Sequence, residues 1–212
     1  MPDSAESFSL PLQPREVSFW RMRFEVSNLV NSPAAPVEIP WRDSDGESYA
    51  DLREDAAAIT GIVAARENPP IAALLLALNG HASIFSTVRA KTWIDSNASP
   101  AGGKAESIFN SRVDLVFSDS KLNTQERQED AVRRLIELWM KEPASESFSA
   151  RLEILPCRIR EASNAAALRI TLSARGATPE QARMRWGLGV TKVQQSLLFV
   201  SRTLRQTLGI GA

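Results

Sequence analysis

The sequence predicts an α+β fold, with a mainly antiparallel sheet of about five strands, helices on one face and a long C-terminal helix. Three observations predict it. Segments that alternate apolar and polar residues come in pairs after residue 80, which favours hairpins over parallel crossovers. Each pair is followed by a segment whose apolar residues recur three and four apart, the spacing of a helix with one buried face. The element order β-α-α-ββ-α-ββ-α also contains a split β-α-β core of the ferredoxin-like kind.

From 19 to 26, Trp20, Met22, Phe24 and Val26 alternate with Arg21, Arg23 and Glu25, the period of a half-buried strand. Between 28 and 48, Pro33, Pro36 and Pro40 each deny an amide to a ladder. That stretch reads as a long connection with one short extended piece at 37–41. Leu52, Ala56, Ile59 and Val63 predict a helix over 49–66, with Ser48 available as its cap. Asn68-Pro69-Pro70 stops it. The run 71–78 is almost wholly apolar and predicts a short buried helix, ended by Asn79-Gly80 as a left-handed stop.

Extended patterns at 84–94 and 108–117 flank a Ser, Asn, Pro and Gly-rich segment at 95–107, which reads as a hairpin with a long mobile loop. Asn123 and Glu126 have the spacing of a capping box and open a helix with Val132, Leu135 and Trp139 on one face before Pro143. Strands at 150–159 and 166–174 join through a turn at 162–165. Thr178-Pro179-Glu180-Gln181 then supplies a cap, a proline at the first helical position and a box residue. Trp186, Val190, Val193, Leu197, Val200, Leu204 and Leu208 follow on one stripe of a helix over 179–208. Gly187 and Gly189 cost that helix about 1 kcal/mol each relative to alanine, so another backbone is expected to cross there. The order ββα thus occurs twice, at 82–142 and 148–209, in one domain spanning 18–212 behind an N-terminal arm at 1–17.

Composition sets the chemical limits. The single cysteine, Cys157, has no partner within the chain, so nothing calls for an oxidising compartment. The longest apolar run, 71–78, falls far short of the roughly 20 residues that span a bilayer. The first residues carry Asp3 and Glu6 without an apolar core, unlike a signal peptide. A cytoplasmic protein, or one within an assembled particle, without membrane contact is expected. Net charge is zero yet polarised: residues 1–80 hold 6 basic and 12 acidic groups, and residues 151–212 hold 10 basic and 3 acidic. Opposite ends of that kind suit docking of one copy on another, or internal pairing.

Catalytic constellations are hard to assemble from these residues. The sole histidine, His81, follows a helix stop, and there is no Gly-x-Ser-x-Gly elbow. Cys157 lies in a predicted strand, where a buried thiol behaves as a small hydrophobe despite Arg158 and Arg160 nearby. One cysteine and one histidine cannot build the usual zinc set. Asp43, Asp45 and Glu47 around Gly46 resemble part of a calcium loop but lack its spacing and its terminal glutamate. Gly102-Gly103-Lys104 lacks the first glycine of a phosphate loop, with Ala98 in its place. Glu126, Glu129 and Asp130 suit the first turns of a helix. No catalytic, cofactor or metal site is expected, and the protein reads as a non-enzyme.

Interaction is the remaining class. Nucleic acid is an unlikely partner, because Arg183, Arg185, Lys192, Arg202 and Arg205 spread around the last helix as on a solvated face. The best basic candidate is the pair Arg158 and Arg160, which share a strand face and reach Arg169 or Arg175 across a sheet. In the arm, Phe8, Leu10 and Leu12 alternate with Ser9 and Pro11 and need a surface to bury on, such as a neighbouring subunit's sheet edge. The expected function is a structural subunit that self-associates into a ring, tube or particle, of phage or secretion-machine type by analogy, with other assembly subunits as further partners. The alternative is a domain that binds a ligand or nucleic acid on a basic sheet face.

Overall fold

Period-two alternation in six segments builds one sheet, and a computed structural model describes it over residues 23–33, 35–40, 48–97, 106–141, 148–159 and 162–210. The strands are β1 (Arg23–Asn28), β2 (Val37–Ile39), β3 (Phe85–Asn97), β4 (Glu106–Phe117), β5 (Ser149–Ile159) and β6 (Ala162–Gly176). The helices are α1 (Val63–Glu67), α2 (Pro69–Asn79), α3 (Gln125–Met140) and α4 (Pro179–Leu208). Strand order is β1-β5-β6-β4-β3, with β2 also on β5. The hairpins β3-β4 and β5-β6 are antiparallel, as is the central β4-β6 pairing. In contrast, β1 and β2 both run parallel to β5.

The sheet is therefore mixed rather than mainly antiparallel, and its order does not show the split β-α-β core that the succession of elements suggested. The physical reason is connection length. The chain between β1 and β5 contains β2, the three helices α1, α2 and α3 and the β3-β4 hairpin, long enough for β1 and β5 to pair side by side in parallel orientation.

One face of the sheet carries the helices. Alternate residues Ala150, Leu152 and Ile154 of β5, Leu168, Ile170 and Leu172 of β6, and Phe109, Val113 and Leu115 of β4 point into a common core with α2, α3 and α4. The expected α4 stripe is the centre of that core: Trp186, Val190, Val193, Leu197, Val200 and Leu204 are all buried. Trp186 donates Nε1–H to Ser111 Oγ at 2.8 Å and Trp139 donates to Ser196 Oγ at 2.9 Å, so both indoles bury their polar atom with a partner. Thr178 caps α4 by accepting from the Gln181 amide, Pro179 opens it, and Gly209 closes it in left-handed conformation at φ 64°. Glu180 in the first turn is held below the usual carboxylate range by its own backbone N–H and by the Thr178 hydroxyl. The close approach at Gly189 is real, but its partner is a side chain: a Cβ there would lie 2.8 Å from the Phe148 ring.

Three local expectations change. The helix over 49–66 is instead a turn, a 3-10 helix at Ala56–Gly61 and the short α1. Arg53 explains part of this: its guanidinium donates to Ser83 O, to Phe85 O at 3.0 Å and to Ser86 Oγ at 2.8 Å, which ties the segment to the start of β3. Burial lowers the pKa of that guanidinium. Gly80 ends α2 at φ −69°, not left-handed, because Asn79 reaches its own helix at Leu75 O and accepts from the Thr87 amide. The cap of α3 is Thr124, which accepts from the Arg127 amide. Asn123 exchanges two hydrogen bonds with the Phe117 backbone instead. The acidic stretch 41–47 and the loop 98–105 lie outside the described residues.

Candidate functional site

Among the described residues the second face of the sheet carries no helix. Its lower part is a small apolar cluster of Val37, Ile39, Val88, Val116, Leu155, Cys157 and Ala167, joined by Leu29 and Tyr49 from the connection. Cys157 is buried there, and desolvation together with the nearby Asp114 charge pushes its thiol up to about 12. A thiol with that value is almost wholly protonated at pH 8, and the thiolate is the nucleophile. We expect a thiol-specific disulfide reagent at pH 8 to label the folded protein about a thousandfold more slowly than the urea-unfolded chain. Labelling at comparable rates would show that Cys157 is accessible and not the inert core residue described.

Above this cluster the face turns polar. Asp114 of β4 is 1% exposed and receives Arg169 of β6 through two parallel bonds, Nε to Oδ1 at 2.7 Å and Nη2 to Oδ2 at 2.9 Å. That fork raises the pKa of Arg169. The next rows form an open groove of about 380 Å³ bounded by β3, β4, β6, β5 and β1. Within it Asp95 Oδ2 accepts from Trp93 Nε1 at 3.1 Å and from Asn110 Nδ2 at 2.9 Å, and Ser173 Oγ donates to Asn110 Oδ1 at 2.6 Å. Register explains the network: Trp93 faces Asn110 and Asn110 faces Ser173 in adjacent strands. At the β1 side Arg151 pairs with Glu25 at 2.9 Å.

The basic cluster expected around Arg158 does not form in this arrangement. Arg158 is the residue after Cys157, so it projects to the opposite face from Ala167 and Arg169, where it pairs with Glu38 of β2 at 3.0 Å. Arg175 shares the polar face and lies 3.6 Å from Glu106. Arg160, Phe8, Leu10 and Leu12 lie outside the described residues.

The other candidate surface was not anticipated. On the outer face of α4, Met184 is 63%, Leu188 64% and Phe199 54% exposed. At 100° per residue these three fall within about 60° of one another, opposite the buried stripe. The spacing of 184 and 188 was readable in the sequence, but the stronger stripe beginning at Trp186 masks it. Five of the six charged residues of α4 are basic: Arg183, Arg185, Lys192, Arg202 and Arg205 against Glu180.

Other sequence candidates serve the fold. His81 is an exposed turn residue whose carbonyl accepts from Arg205. Glu129 accepts from Asn28 Nδ2 at 2.8 Å and from Gln125 at 2.9 Å, while Asp130 pairs with Arg133 and Arg134. Among the described residues no group of three or more His, Cys, Asp or Glu is placed to hold a metal ion, and no helix is long and apolar enough to cross a membrane. Comparisons with protein-family models, curated proteins and solved structures find no match.

Proposed function

We propose that this protein is a non-enzymatic structural subunit that associates with copies of itself, the outer face of α4 seating on an acidic surface of a neighbouring copy. The observation that carries the proposal is the exposed apolar trio Met184, Leu188 and Phe199 on one side of a 30-residue helix. Met184 and Leu188 adjoin on successive turns and Phe199 follows about 16 Å further along the same side, an alignment of exposed apolar side chains of the kind that marks contact surfaces. Charge selects the occupant. Two α4 helices would repel through their shared excess of arginine and lysine. The exposed stretch 54–57 by contrast presents the carboxylates of Glu54 and Asp55 beside Ala56 and Ala57. Joining different surfaces of identical subunits is a head-to-tail contact, which generates rings or open filaments.

The test is mass in solution. Sedimentation at low salt should give species above the 23.3 kDa monomer, shifting towards monomer at high salt, where screening shortens from about 8 Å at 0.15 M to about 3 Å at 1 M. A Leu188→Asp, Phe199→Asp variant should remain monomeric at every salt concentration with an unchanged far-ultraviolet spectrum. A wild-type protein that is monomeric throughout, or a variant that assembles as the wild type does, overturns the proposal.

A further inference from the structure

The groove on the helix-free face has its own chemistry, separate from the α4 surface. Trp93 is 38% exposed on an edge strand, and its Nε1–H is held by Asp95, so the indole is anchored at its edge while part of its surface remains in water. An aromatic face presented this way on a sheet is a stacking platform for planar rings. Three guanidinium groups, Arg23, Arg151 and Arg175, line the same groove against two carboxylates, Glu25 and Asp95. Neither carboxylate offers a free cation site: Glu25 serves Arg151, and Asp95 already accepts from two N–H donors. The adjacent row places Lys91 and Arg112 opposite each other on this face, adding two cations. Hydroxyls and an amide, from Thr171, Ser173 and Asn110, and the apolar Ile108 and Ala150 also line it, a mixture that suits a guest with both a ring and polar groups. A volume of about 380 Å³ lies within the range of roughly 300–1,000 Å³ that accommodates small ligands.

We infer that this groove binds a planar aromatic ring carrying an anionic group, of the nucleoside phosphate type, with the ring on Trp93 and the anion among the arginines. The same chemistry is presented by a free nucleotide and by the terminal residue of a single strand.

Calorimetric titration of the full chain with adenosine monophosphate tests the inference, with adenosine and inorganic phosphate as controls lacking charge or ring. Saturable binding of the nucleotide is expected, about tenfold tighter than phosphate, which lacks the ring whose stacking is worth about 1–3 kcal/mol, and tighter than adenosine, which lacks the anion that the arginines receive. Trp93→Leu and Arg175→Gln should each weaken it about tenfold. Both positions are exposed, so circular dichroism should show the fold intact. A short oligoadenylate identifies the source. Equal affinity for the two points to the free nucleotide, and tighter oligonucleotide binding lost in the same variants points to single-stranded nucleic acid, both in support. No saturable binding of either probe, binding as tight to phosphate alone, or binding that survives both substitutions overturns the inference. The outcome is independent of the assembly test, because neither Trp93 nor Arg175 lies on α4.

Discussion

Trp186→Ala should lower the unfolding free energy by about 3–5 kcal/mol, the range for deleting a buried large aromatic side chain. The indole is 1% exposed in the middle of the sheet-helix core. It packs against Phe109 with ring centroids 4.5 Å apart, while Arg183 lies 4.9 Å over the other ring of that pair. Alanine would also orphan the Ser111 hydroxyl, itself 1% exposed, that now accepts the indole N–H. Trp186→Phe separates these contributions: it keeps most of the apolar volume but abandons Ser111, and should cost about 1–3 kcal/mol. Urea unfolding measures both. A midpoint for Trp186→Ala within error of the wild type would mean that α4 does not centre the core in solution.

That prediction rests on the part of the fold that was most legible in the sequence. Over 179–208 the cap, the proline and the apolar stripe agree, and each is local, so no knowledge of partners was needed. The segment 49–66 shows the converse. Its apolar residues have helical spacing, but Asp55 caps a 3-10 turn through the Ala57 amide and none of the six residues of that turn is buried. Ala58 and Ile59 are only partly buried against the core, and spacing without a fully buried face does not sustain a longer helix. Asn123 and Glu126 have capping-box spacing, but the Asn123 amide is held by the Phe117 backbone, six residues earlier, and Thr124 caps the helix instead.

Non-local pairing was the larger loss. The ion pair of Glu25 with Arg151 joins positions 126 residues apart, and no local pattern announces that β1 will lie parallel to β5. The candidate sites inherit that uncertainty. Alternation alone identified β5 and β6 as strands and set Arg158 and Arg169 on even and odd positions, yet which face each would share depended on the register Glu153 to Arg169. The polar groove was likewise invisible: Trp93, Asn110 and Ser173 are brought together only when three strands are placed side by side in the observed register.

The fork between Arg169 and Asp114 supplies the second large effect. Removing the carboxylate with Asp114→Ala should destabilise the protein by about 3 kcal/mol, the low end for a buried pair that loses one partner. The low end applies because the Arg169 side chain keeps 22% of its surface in water, against 1% for Asp114, so water screens part of the orphaned charge. For a chain of this size the melting temperature should fall by about 6–12 °C, at roughly 2–4 °C per kcal/mol. Glu153, the register partner of Arg169 on β5, limits the loss by offering a second carboxylate to the guanidinium. A double variant, Asp114→Leu with Arg169→Met, removes both charges and should recover much of the stability, since apolar replacement of a whole buried pair is often neutral. The reverse order, a double variant less stable than Asp114→Ala, would show that the fork is a net stabilising interaction rather than a mutual neutralisation of two charges held in a sheet.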